Sequence, residues 1–336
     1  MITRSSEVSF QSPRGYQVQS ELLQEFENGL DPLNPQASRI PCHVLGYGEI
    51  STVFEIQAED LHELAFKRMC CFETLDELKP YVETYLVYNQ VLENQVELHL
   101  PPYGYAMFVS ESGRPVFYII QERLLPASIG NNVLQFLSPQ EIISLFRLVL
   151  LELHKVWAFN RSHAECQVGI DGQISNWAIQ DFDPQHPGLS QGATLLYLDT
   201  STPIMRLDGV EQLNGELFLR SAPPYLAWIL RLLFLQEVVT RYYDARKVTI
   251  DLIANFYKEQ HPELVPQLVA EANAYIRAEG ADLSLAEISE KEVSDYYRQD
   301  ELIWRLYLGM RRFDRFVRRK MLHLDYPYIL PGQIQR

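Results

Sequence analysis

Basic residues are in short supply in this chain, as are cysteines and long apolar runs. Only 29 Lys and Arg stand against 44 Asp and Glu, a formal net charge of −15 over 336 residues. So acidic a chain stays soluble and repels polyanions. Broad nucleic-acid binding depends on neutralising phosphates, so no nucleic-acid partner is expected, although a local basic pocket for one nucleotide fits the balance. The four cysteines, Cys42, Cys70, Cys71 and Cys166, form no C-x-x-C pair. That argues against a zinc knuckle or a disulfide framework and for a reducing, cytoplasmic compartment. No stretch reaches membrane-spanning length. The greasiest segment, residues 225–239, is interrupted by Arg231 and reads as a buried helix, so no transmembrane segment is expected. The first dozen residues are polar and lack a secretory core. No His/Cys spacing suggests zinc, and no G-x-S-x-G marks a hydrolase elbow.

What is present is apolar mass. Hydrophobic residues make up 47% of the chain, with 19 Tyr and 16 Phe, which supports a sizeable core and argues against disorder. Residues 1–40 read as a partly ordered extension with a short helix over 22–30. Residues 41–70 read as three strands, β-branched and apolar runs bounded by glycine or charge. Helical spacing follows over 75–92, with Leu78, Val82, Tyr85 and Leu86 on one stripe. Residues 105–109 and 116–121 read as a hairpin around Glu111-Ser112-Gly113-Arg114. Beyond Gln121 the character becomes helical. Ser138-Pro139-Gln140-Glu141 is a helix start, and the helix over 139–157 is apolar nearly all round, hence buried. The order is strands with one helix, then a mainly helical half. There is no internal repeat.

Four features fall in one order along the chain. Gly46-Tyr47-Gly48-Glu49-Ile50-Ser51-Thr52-Val53 lies between two expected strands, where glycines let a backbone turn approach phosphates; alone, such a pair is more often an ordinary hairpin. Lys67 lies in an apolar strand, Ala65-Phe66-Lys67, from which it reaches inward to phosphate oxygens or, as a lone instance, outward to water. Asp171 precedes Asn176 by five residues. That pair places a carboxylate by a substrate hydroxyl and an amide oxygen on a metal, although Asp-Gly is also a turn signal. The apolar run Leu195-Leu196-Tyr197-Leu198 ends in Asp199, either a metal ligand presented by a buried strand or a cap for the next turn.

In this order the four features resemble the protein-kinase-like superfamily, nearest its aminoglycoside-phosphotransferase and choline-kinase branch or a bacterial relative of it. The resemblance spans roughly residues 41–205, with Val53 and Lys67 at the family's spacing between glycine loop and ATP lysine. It implies an α+β, bilobal fold: an extension (1–40), a small antiparallel N-lobe with one helix (41–123), and a helical C-lobe (124–336). It also implies ATP and Mg2+ as cofactors. The backbone around Gly46, Gly48, Ser51 and Val53 would cover the phosphates, and Lys67 would hold the α- and β-phosphates. Asp171 would orient or deprotonate the acceptor hydroxyl, and Asn176 and Asp199 would hold magnesium. Glu83, or alternatively Glu77, would pair with Lys67. Residues 121–124, with Glu122, would form the hinge that meets adenine. The implied activity is transfer of the γ-phosphate to a hydroxyl of a small molecule or a protein. The alternatives are a pseudokinase scaffold and, with less support, a relative that binds ATP reversed and passes on AMP.

The pattern departs from the family in places. The third glycine of the loop is Ser51. Gly169 stands where a histidine usually buttresses the catalytic loop, with His163 a distant substitute and His154 the other histidine nearby. Asp199-Thr200-Ser201 replaces Asp-Phe-Gly. The long span between Asn176 and Asp199 holds Asp181 and Asp183, which read as a solvated turn rather than as metal ligands. Near the C-terminus, residues 300–324 read as an amphipathic helix. Leu306, Met310, Phe313 and Val317 form its apolar stripe, and Arg311, Arg312, Arg315, Arg318, Arg319 and Lys320 its basic face. Such a helix docks on lipid or a partner, but more often packs on its own acidic domain, the expectation here.

Overall fold

The computed structural model describes residues 6–48, 50–58, 61–190, 192–220, 240–324 and 326–332; the helix expected over 225–239 lies outside the described residues. The protein is α+β, with antiparallel sheets and a mainly helical second half.

Six strands form the main sheet: β1 (Glu7–Ser9), β2 (Cys42–Tyr47), β3 (Ser51–Ile56), β4 (Leu64–Met69), β5 (Tyr103–Val109) and β6 (Pro115–Glu122). Their order is β1-β5-β6-β4-β3-β2 and every pairing is antiparallel. Because side chains alternate across a strand, β4 is read twice. Leu64 and Phe66 enter the core on one face, while Met69 enters the core on the other, the face that Lys67 shares.

Helix α1 (Ser20–Gly29) covers the first face with Leu23 and Phe26, the latter edge-on to Phe54 at 5.7 Å between ring centroids. Burying each such phenylalanine is worth roughly 1.5–3 kcal/mol. The amino-terminal region is thus part of the sheet layer, with β1 added as a short edge strand. Helix α2 (Leu75–Asn94) covers the second face. Thr74 caps it by accepting the Glu77 N–H, and Leu78, Tyr81, Val82, Tyr85 and Tyr88 recur at helical spacing on its buried side.

The helical half follows the short α3 (Gly130–Val133). In α4 (Pro139–Ser162) a reciprocal capping box joins Ser138 and Glu141. Its burial is one-sided rather than all round: Ile142, Leu145, Phe146, Val149, Leu150, Leu153 and Trp157 enter the core, while Ser144 and Arg147 face solvent. It packs with α6 (Ala245–Lys258) and α7 (Val265–Ala278), after the short α5 (Glu216–Arg220); α8 (Glu290–Phe316) lies along α6. Two small ladders bridge the halves. β7 (Cys166–Val168) pairs with β10 (Met205–Leu207), which also pairs with β11 (Val210–Glu211), and β8 (Trp177–Ile179) pairs with β9 (Leu195–Tyr197). They position the two loops that carry Asp171 and Asp199.

The carboxy-terminal helix corrects the expectation in phase and length. It starts ten residues earlier than expected, at a capping box between Ser289 and Glu292. Leu306 and Phe313 of the expected apolar stripe face solvent, whereas Arg311 of the expected basic face is buried. The reason is aromatic: the Arg311 guanidinium sits 5.3 Å and 5.0 Å from the ring centroids of Tyr307 and Tyr328, with the Tyr326 hydroxyl beside its Nε.

Candidate functional site

A cleft of about 250 Å³ opens between the inner face of the sheet and the helical half. Its walls include Gly48, Ser51 and Lys67 from the sheet, and Asp171, Asn176 and Asp199 from the bridging loops.

Lys67, in the middle of β4, places its Nζ 2.5 Å from Oδ1 of Asp199, across 132 residues of sequence. The Ser201 hydroxyl donates to the same oxygen at 2.8 Å, and the Tyr81 hydroxyl of α2 donates to the Ser201 carbonyl. Burial by itself pushes the Asp199 carboxyl up; the Lys67 ammonium and the Ser201 contacts outweigh it and hold the group below its ordinary value.

Asp171 follows β7. Its Oδ1 accepts the Gln173 N–H at 3.1 Å, and its carbonyl accepts from the Asn176 side-chain amide at 3.2 Å. The Asn176 carbonyl accepts the Leu198 N–H at 2.8 Å, which ties the Asp171 loop to the residue before Asp199. Burial, then the nearby carboxylates of Asp251 and Asp199, raise the Asp171 carboxyl to about 7. A buried aspartate with a raised affinity for protons is suited to taking one from a hydroxyl near neutral pH.

The glycine loop closes tightly, with the Gly48 N–H donating to the Ser51 carbonyl at 3.0 Å. A Cβ on Gly48 would stand 2.5 Å from the Ser51 hydroxyl oxygen, so only glycine fits without a shift. Gly46 and Val53 face each other across β2 and β3, beside a register shift, and do not line the cleft.

Two expected contacts are corrected. Glu83 is exposed on α2, because the inward positions of that helix are taken by Tyr81, Val82 and Tyr85, leaving Glu83 on the solvent side. Glu77 reaches Arg220 instead of Lys67, with two hydrogen bonds at 2.6 and 2.7 Å that hold its carboxyl down at about 2. Glu122 is buried and does not line the cleft; its carboxylate accepts from the Ser12 hydroxyl and lies 3.4 Å from Arg14. Elsewhere along residues 121–124, the Gln121 amide donates to the Leu198 carbonyl at 3.4 Å and Arg123 pairs with Glu55.

Gly169 has a steric reason to be glycine. A Cβ there would stand 2.6 Å from a Ile204 methyl and 3.2 Å from the Tyr242 Cβ. The loop is braced by other groups: the Tyr88 hydroxyl donates to the Gly169 carbonyl at 2.8 Å, and the Ile170 N–H donates to the Tyr242 carbonyl at 3.0 Å. His163 stacks on Phe159 at the end of α4 and His154 meets the Tyr275 hydroxyl; neither lines the cleft. Asp183 is exposed and pairs with His186, and Asp181 takes a positive φ of 56°, so both belong to the turn between β8 and β9. Overpacking of a filled site costs about 1–3 kcal/mol. Gly169→Ala is therefore expected to lower the unfolding free energy by that amount, seen as a lower urea midpoint at an unchanged slope, and an unchanged midpoint would show that the loop has room to spare.

The far end of the cleft holds residues that sequence reasoning missed. Arg241 lies 3.8 Å from Asp251 and above the Tyr242 and Tyr296 rings, and Lys258, Asp300 and Trp304 complete the wall. They come from distant helices and carry no local motif. Among the described residues, no group of three or more His, Cys, Asp or Glu side chains is gathered as a metal cage.

The chain belongs to the DUF6206 family, a family of unknown function, whose model matches residues 36–318. No curated protein matches it.

Proposed function

We propose that the protein is an ATP- and magnesium-dependent phosphotransferase of protein-kinase-like, bilobal architecture that passes the γ-phosphate to a hydroxyl. The observation that carries this reading is the convergence of Lys67, Asp171, Asn176 and Asp199 on one cleft, from segments up to 132 residues apart. The donor set fits the ion. Magnesium keeps several waters and takes one or two carboxylates plus substrate phosphates rather than an all-protein cage. Asp199 and the Asn176 amide oxygen would hold it, and bound there it would neutralise charge developing on the transferring phosphoryl group.

The chain's own residues do the rest. Lys67 binds phosphate oxygens after leaving Asp199, and Gly48 and Ser51 wall off one side. Asp171 accepts the acceptor's proton on its carboxylate. Arg241, Lys258, Asp300 and Trp304, which line the far end of the cleft, would orient the acceptor. Little covalent chemistry is asked of the protein; positioning and charge compensation dominate.

A second reading, a nucleotide-binding scaffold without catalysis, draws on one observation: neither Glu77 nor Glu83 of α2 reaches Lys67. Thermal shift separates these readings from a nucleotide-free protein. Saturating MgATP is expected to raise Tm by roughly 5 °C, and Asp199→Ala to abolish the magnesium-dependent part. No shift under any condition would end both nucleotide readings. A shift without any turnover of ATP would select the scaffold.

A further inference from the structure

The outward side of α8 has no use in the cleft. Leu302, Ile303, Leu306, Phe313 and Phe316 are each more than two-fifths exposed, on the side opposite the buried Leu308 and Arg311. Along one edge of this stripe run Arg298, Arg305 and Arg312, spaced seven residues apart and all exposed, whereas Arg319 lies past the helix, in the turn Val317–Met321, and lines the cavity beside Glu27 and Asp31. Residues 305–320 carry seven basic side chains against one acid, Asp314, within a chain whose net charge is −15. Part of this charge is engaged within the protein: Arg305 pairs with Glu301, Arg318 with Asp314, and Arg312 donates to the Pro331 and Gly332 carbonyls.

We propose that this face docks on an anionic lipid bilayer, with α8 lying in the plane of the interface. An interfacial helix needs an apolar stripe that sinks to the acyl boundary and long basic side chains that remain among the headgroups. Both are here, and the sign of the patch opposes that of the whole chain, so attraction is local and orients the molecule. Two features favour a surface over a helical partner. The apolar exposure continues beyond the helix into Met321, Leu322 and Leu324, beside Lys320, where heptad register is lost. An antiparallel second copy would also set the arginine row against itself. No described helix is long and apolar enough to cross a membrane, so the contact is peripheral.

The test is co-sedimentation of the full chain with vesicles of phosphatidylcholine alone or with about 30% phosphatidylglycerol, at low and high salt. Binding is expected only to the anionic vesicles and to weaken with salt. Arg298→Glu/Arg305→Glu and, separately, Phe313→Ser/Phe316→Ser are each expected to reduce it about tenfold or more. These side chains are exposed, so circular dichroism and Tm should be unchanged, and a variant that unfolds is replaced by the other pair. Equal binding to neutral vesicles, wild-type binding by both variants, or no binding to any vesicle overturns the proposal. So does a wild-type dimer in light scattering that Phe313→Ser/Phe316→Ser dissolves while vesicle binding is absent, which would assign the face to a second copy.

Discussion

If the protein is the phosphotransferase proposed, Asp171→Asn is expected to slow turnover by orders of magnitude and, at the same time, to make the protein more stable at neutral pH and above. The loss of a positioned base typically costs about 10²–10⁴-fold in rate, read here as phosphate release from MgATP with water as the acceptor. The gain in stability follows from linkage. The Asp171 carboxyl is raised to about 7, with burial and the Asp251 and Asp199 carboxylates responsible. In the unfolded chain it titrates near its ordinary value of about 3.9. Between these two values the folded state holds a proton that the unfolded state has released, so stability falls as pH rises through that window. Asparagine keeps the shape, and its Oδ1 still accepts the Gln173 N–H, but it carries no charge to desolvate. The variant and the wild type should therefore have nearly equal Tm at pH 4 and diverge up to pH 8. The gap there is expected on the order of 2 kcal/mol in favour of the variant, less than the full shift because Arg241 loses a nearby anion. A gap independent of pH, or a less stable variant at pH 8, would remove the buried charge from the explanation. The same carboxyl should give the wild type a rate that climbs with pH and levels above about 7.

The sheet and the sequence motifs were legible because their signals are local. Strands β2 to β4 announce themselves by alternating apolar runs between glycine and charge, and α2 and α4 by helical spacing behind a Thr or Ser cap. The residues that share the cleft's near end were singled out by type and order, although nothing in a sequence measures the 2.5 Å between Lys67 and Asp199. Glu83 failed for a reason of phase: on α2 the tyrosines Tyr81, Tyr85 and Tyr88 take the inward positions, and a charged residue two places along points away. On α8 the rule that apolar faces turn inward was overridden by Arg311, which burial among tyrosine rings and hydroxyls makes affordable. Lys258 and Asp300 were invisible because they reach the cleft only through the packing of α6 and α8, and Arg241 because it enters from the segment just ahead of α6. The three residues of β1 are too few to show a period, and an edge strand is held by backbone pairing with β5 rather than by its own pattern.

Removal of the Glu27 carboxylate should cost more stability than any other single change considered. Arg68 follows Lys67 on β4 and so points to the opposite face of the sheet. There its Nε and Nη2 donate to the two Glu27 oxygens of α1 at 2.7 and 2.6 Å, and its Nη1 donates to the Pro327 carbonyl at 2.8 Å. The Tyr118 hydroxyl of β6 also donates to Glu27, at 2.6 Å. Both charged side chains are buried, at 7% and 6% exposure, so water offers little compensation when one is lost. Glu27→Ala leaves the Arg68 guanidinium in the interior without its anion and is expected to cost about 3–5 kcal/mol. Replacing both, as in Glu27→Leu/Arg68→Met, removes the attraction together with two desolvation penalties and should recover most of that loss. Urea titrations of Glu27→Leu, Arg68→Met and the double variant isolate the coupling. A loss below about 1 kcal/mol for Glu27→Ala would mean that the guanidinium finds solvent, through the cavity of about 420 Å³ that the pair lines. The pair also joins α1 and the carboxy-terminal tail to the strand that carries Lys67. The double variant should therefore regain stability and, if Lys67 needs that anchorage, still bind MgATP less tightly than the wild type.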